Sequence, residues 1–93
     1  MTEDDLIAQY IEFNPRRPDP AEARLIGFNV PVWALIGYLQ TPGADTLRVA
    51  ADYDVPVPAI KAAQTYYQHN KGAIDARIAA NNAEAHEIVH AAP

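Results

Sequence analysis

One short spacing constrains this chain more than anything else in it: Ala50, then Asp54-Val55-Pro56, then Ile60. A small side chain at 50 lets a second helix cross closely. Aspartate is among the few residues that tolerate a left-handed backbone, so 54 can turn the chain sharply. Val55 supplies an apolar plug, and Pro56 suits the start of a new helix. Ile60, five residues after Val55, locks the second helix onto the first. This set of roles predicts a helix-turn-helix from Ala44 to about His69. Two core helices that simply meet at this angle would use the same residues, so what the motif does has to be argued from its outward surface.

The flanking pattern is mainly helical. Thr2 is a suitable N-cap for a helix over 3–11, with Leu6, Ile7, Tyr10 and Ile11 on one side. Pro15, Pro18 and Pro20 then break regular structure and predict an arm or loop. A short strand is expected around Arg24-Leu25-Ile26, ended by Gly27. Pro31 opens a helix with the stripe Val32, Leu35, Ile36 and Leu39, widened by Trp33 and Tyr38 and stopped at Thr41-Pro42-Gly43. Asp45 caps a helix from Thr46 to Tyr53 with Leu47, Ala50 and Ala51 inward. The next runs from Val57 to His69 and buries Ile60, Ala63 and Tyr67. The last, from Lys71 to about His90, carries Ile74, Ile78, Ala85, Ile88 and Val89 at helical intervals, with Asn81-Asn82 as its weak point. The expected fold is a small, mainly α helix-turn-helix domain with one short N-terminal strand. It divides into an N-terminal helix and proline-rich arm (1–23), a core (24–80) and a C-terminal tail (81–93). With 93 residues the chain sits near the lower limit for a self-sufficient core, so a homodimer is expected.

Several chemistries are excluded by composition. The chain has no cysteine and no serine, which removes disulfides, thiolate sites and a Ser-His-Asp triad, and it has no glycine-rich phosphate loop. His86-Glu87-Ile88-Val89-His90 fits the H-E-x-x-H pattern, which sets two imidazoles one helical turn apart with a glutamate as base. A catalytic zinc site also needs a third protein ligand, usually downstream. Only Ala91-Ala92-Pro93 follow, so His86 and His90 are weak metal candidates, and neither an enzyme nor a cofactor is expected. The acidic opening MTEDDL is unlike a secretory signal. The longest apolar passage, Val30 to Leu39, is far short of the roughly 20 residues of a membrane span. No membrane partner and a cytoplasmic location are expected.

Net charge is −5. Residues 1–23 hold six acids against Arg16 and Arg17, whereas 24–70 balance Asp45, Asp52 and Asp54 with Arg24, Arg48 and Lys61. Nucleic-acid binders usually show a basic footprint, because phosphate neutralisation supplies their non-specific affinity. Only Lys61 and Gln64 on the second motif helix have side chains suited to base edges. Arg48 is a candidate for phosphate contact, and Arg16 and Arg17 for a backbone or minor-groove contact. The tail stripe Ile78, Ala85, Ile88 and Val89 is the candidate partner-binding segment, in the manner of a helix laid into a groove.

The run Val30-Pro31-Val32-Trp33-Ala34-Leu35-Ile36-Gly37-Tyr38-Leu39 is followed by Val49-Ala50-Ala51-Asp52-Tyr53-Asp54-Val55-Pro56, by Ile60-Lys61-Ala62-Ala63, by Tyr66-Tyr67 and by Ile74-Asp75-Ala76-Arg77-Ile78. In combination, over about residues 24–80, these resemble the domain of unknown function four-three-three family. The resemblance implies a homeodomain-like helix-turn-helix, often dimeric, and for several members a VapB-type antitoxin role beside a PIN-like ribonuclease toxin. It implies a mechanism in which the dimer binds its own operator DNA while a C-terminal segment covers the toxin's acidic metal site. The segment Ala23–Asn29 matches only part of the family's glycine-rich strand, and residues up to Asp19 lie outside the shared region.

Overall fold

In the computed structural model, the backbone is described for residues 2–91 and the side chains for residues 2–83. Five helices and a two-strand antiparallel sheet make up the described chain, as a mainly α domain with a short strand requires. Thr2 opens α1 (Glu3–Tyr10) through a capping box: its hydroxyl accepts from the Asp5 amide, and the Asp5 carboxylate accepts from the Thr2 amide.

Ile11 leaves the helix that the sequence pattern had extended to it. It forms β1 (Ile11–Glu12), antiparallel to β2 (Arg24–Leu25), with Ile11 opposite Leu25 and Glu12 opposite Arg24. The reason is burial, since Ile11 and Leu25 both enter the core from this register. β2 stops one residue short of the expected strand. Gly27, at φ +83°, and Asn29, at φ +57°, turn the chain back so that the Leu25 amide donates to the Val30 carbonyl at 2.8 Å. Between the strands a single 3₁₀ turn, Pro20–Glu22, is capped by Asp19, whose carboxylate accepts from the Ala21 amide at 2.9 Å.

α2 (Val32–Leu39), α3 (Thr46–Tyr53), α4 (Val57–His69) and α5 (Lys71–Ala91) follow. α4 is central and packs against α1, α2 and α3, while α5 packs on α2 and on the 3₁₀ turn. Leu25, Val32, Leu35, Val49, Ile60 and Ile74 are the largest fully buried side chains. At about 25 cal/mol per Å² of apolar surface removed from water, such a cluster is what holds the helices together.

Three details depart from the periodicity. Leu47, expected inward, is 70% exposed, and Val49 fills the core in its place. On an eight-residue helix the faces Leu47-Ala50-Ala51 and Val49-Ala50-Tyr53 are both helical stripes, and packing against α2 and α4 selects the second. Tyr66, rather than Tyr67, is the buried tyrosine of α4. Asn81-Asn82 does not interrupt α5. No helix among the described residues is long and apolar enough to cross a membrane.

The N-terminal segment closes over the helices. Leu6, Ile7 and Tyr10 pack on the core. The Tyr66 hydroxyl donates to the Pro20 carbonyl at 2.6 Å. Arg77 on α5 pairs with Glu22 at 2.9 Å and lays its guanidinium over the Trp33 ring, 4.3 Å from the centroid. That strut joins the 3₁₀ turn, α2 and α5 through one side chain.

Candidate nucleic-acid and partner interface

The turn between α3 and α4 has the geometry its residues demand. Asp45 caps α3 by accepting from the Arg48 amide at 2.8 Å. Asp54 lies in the left-handed region at φ 55°, ψ 49°. The Val55 amide donates to the Ala50 carbonyl at 3.0 Å and the Asp54 amide to the Ala51 carbonyl at 3.2 Å, the paired closure of a Schellman motif. Val55 is buried beneath the turn, and Pro56 leads into α4, whose first turn tolerates Pro58 because its amide has no helical partner. Ala50, Ala59, Ile60 and Ala63 are buried between the helices, three of them small enough to permit a close approach.

The outward side of α4 is a polar stripe of Lys61, Gln64, Thr65 and Gln68, spaced i, i+3, i+4 and i+7. Lys61 and Gln68 are exposed, Gln64 and Thr65 half-buried, and the Thr65 hydroxyl donates to the Lys61 carbonyl at 3.0 Å. These four side chains share a shallow depression of about 400 Å³ with Glu3 of α1. The Glu3 carboxylate also lies 2.8 Å from His69 Nε2, at the end of the same helix. Glu3, in the acidic first turn of α1, thus borders the polar stripe of α4.

The other expected contacts are spread out. Arg48 is exposed on α3 beside Tyr38 and Asp52, and the Tyr38 hydroxyl donates to the Asp52 carboxylate. Hydrogen bonding to Tyr38 and its charge, followed by the charge of Asp52, raise the Arg48 guanidinium above its ordinary range. Arg16 and Arg17 are exposed on a tight turn in which the Arg16 amide donates to the Asn14 side chain at 3.0 Å and the Arg17 amide to its carbonyl at 3.1 Å. Among the described residues no hydrogen bond or ion pair joins either arginine to α4. The structure therefore brings Lys61 and Gln64 together and leaves Arg48, Arg16 and Arg17 outside their cluster.

Ile78 is half-buried against the core and, with Trp33, Gly37, Tyr38, Tyr53 and Asn82, lines a groove of about 580 Å³ between α2 and α5. The side chains of Ala85, Ile88 and Val89, and of His86 and His90, lie outside the described residues. Among the described residues no three His, Asp or Glu side chains gather to hold a metal ion.

Two members of the stripe, Thr65 and Gln68, and the neighbouring Glu3 of α1 are absent from the sequence-based set. Gln68 was findable, standing one helical turn beyond Gln64. Glu3 was not, because nothing local reveals that an acid 66 residues away will dock against His69. Compared with known protein families, with curated proteins and with solved structures, the chain matches none.

Proposed function

We propose that this chain is a non-enzymatic, antitoxin-like helix-turn-helix protein. In this reading it acts as a dimer, neutralises a PIN-like ribonuclease by direct contact and regulates its own synthesis by binding operator DNA through α4. The toxin pairing rests on the family resemblance of residues 24–80. The observation that carries the DNA half is the turn itself: Asp54 in the left-handed region, the Schellman closure and the alanine-lined crossing set the polar stripe of α4 outward. Lys61 is the phosphate or base contact, Gln64 the base-edge contact, and Arg48 a phosphate contact from α3. Arg16 and Arg17, on their exposed turn, serve as auxiliary backbone contacts.

The test is a pair of measurements on the purified full chain: affinity for the DNA upstream of its own gene across a salt series, and co-purification with a co-encoded small nuclease. Salt-sensitive binding that weakens in Lys61→Ala supports operator recognition. A second reading, a protein-interaction module that has lost DNA binding, is favoured by the −5 net charge and by Glu3 on the α4 stripe. Nuclease capture without DNA affinity selects it.

A further inference from the structure

The place of Glu3 bears on how the α4 stripe is controlled. A surface that meets phosphates gains affinity from each cation it offers and loses it for each anion it carries, since the driving force is counterion release from the nucleic acid. Here the cation is Lys61, and the acid sharing its depression is Glu3. Asp4 follows directly in the chain, and Glu3 brings its negative charge to the margin of the stripe, against one lysine and His69. α1 is held on α4 by Leu6, Ile7 and Tyr10, which pack against the core, and the Glu3–His69 contact is an addition at its margin, with side chains 70% and 44% exposed. An exposed pair of this kind contributes little to stability, so Glu3 can be neutralised at little cost to the fold.

We infer that the acidic first turn of α1 is an electrostatic gate on the α4 stripe: Glu3, with Asp4 next to it in the chain, stands where nucleic-acid phosphates would approach and suppresses polyanion binding until its charge is removed. This inference rests on the reading of α4 as the DNA-facing helix. It assigns Glu3 a function that stability does not require.

The experiment compares the full chain with Glu3→Gln/Asp4→Asn, and both with Lys61→Ala added, by fluorescence anisotropy on a random-sequence duplex of about 20 base pairs, long enough for one module. Asp5 is left intact because its carboxylate belongs to the capping box. Circular dichroism checks that helix content is retained. The double variant is expected to bind several-fold tighter than the parent at low salt, with a slope of log affinity against log salt steeper by about 1, and Lys61→Ala is expected to cancel the gain. Equal affinity of parent and double variant, both lost with Lys61→Ala, overturns the gate and leaves the DNA reading standing. A gain that survives Lys61→Ala also overturns it, because the acids would then be repelling phosphate from some other surface. Absence of binding in every variant overturns the DNA reading, and the gate with it.

Discussion

The two sides of α4 are made from different principles. The inner side, Ala59, Ile60, Ala62, Ala63 and Tyr66, is buried and close-packed, and its alanines are what allow α3 to cross near it. The outer side, Lys61, Gln64, Thr65 and Gln68, is polar and partly open to solvent, and it meets an acid from a helix outside the motif. The inner side fixes the shape and would do so whatever the outer side carried. On the proposed reading, recognition falls to the outer side together with α1, so the same motif can be intact as architecture and restrained as a binding surface.

The comparison breaks most visibly at Ile60. Truncation to alanine removes a fully buried side chain from the centre of the inner side and is expected to cost about 2–5 kcal/mol in thermal or urea unfolding, scattering the outer stripe along with the fold. Asp54 tests the link between the two sides. A β-branched residue is penalised at positive φ, so Asp54→Val is expected to lose about 1–2 kcal/mol. Asp54→Gly is expected to hold or gain stability in the same assay, because glycine adopts this backbone freely.

Tyr66 sharpens the inner side by pH. Burial, and secondarily the charge of Asp19, raise its pKa in the folded state. A tyrosine ionises near pH 10 when unfolded. The contribution of neutral Tyr66 is therefore complete below about pH 10 and lost as pH rises through the higher folded value. Tyr66→Phe is expected to cost about 1 kcal/mol at neutral pH, for the lost bond to the Pro20 carbonyl, and to show a shallower alkaline loss of stability than the parent. The smallest expected effect on stability is at Lys61. Lys61→Ala should change unfolding free energy by no more than about 0.5 kcal/mol, while flattening the salt dependence of any DNA binding by about one unit of slope.

What could be read from the sequence follows this division. The α3–turn–α4 unit was legible because each of its requirements is local: a small residue, a left-handed position, a plug and a helix start, all within eleven residues from Ala50 to Ile60. Lys61 and Gln64 were legible as outward for the same reason. Leu47 was misplaced because two overlapping stripes on a short helix are equally periodic, and only the approach of α2 and α4 chooses between them. Tyr66 and Tyr67 present the same ambiguity between neighbours. Ile11 was given to a helix because its partner, Leu25, is distant in the chain, and strand pairing overrides a local helical pattern when it buries both side chains. Glu3 was invisible for the strongest version of that reason, since its role exists only after the N-terminal segment has folded back onto α4.

The contacts that fasten that segment span 46 residues from Tyr66 to Pro20, 55 from Arg77 to Glu22 and 66 from His69 to Glu3. During synthesis α1 and β1 emerge first, but the helices that receive them emerge last. Leu6, Ile7 and Tyr10 therefore have no α4 to pack on until it has been synthesised. His69 follows Glu3 by 66 residues, so Glu3 can meet the α4 stripe only after α4 has left the ribosome.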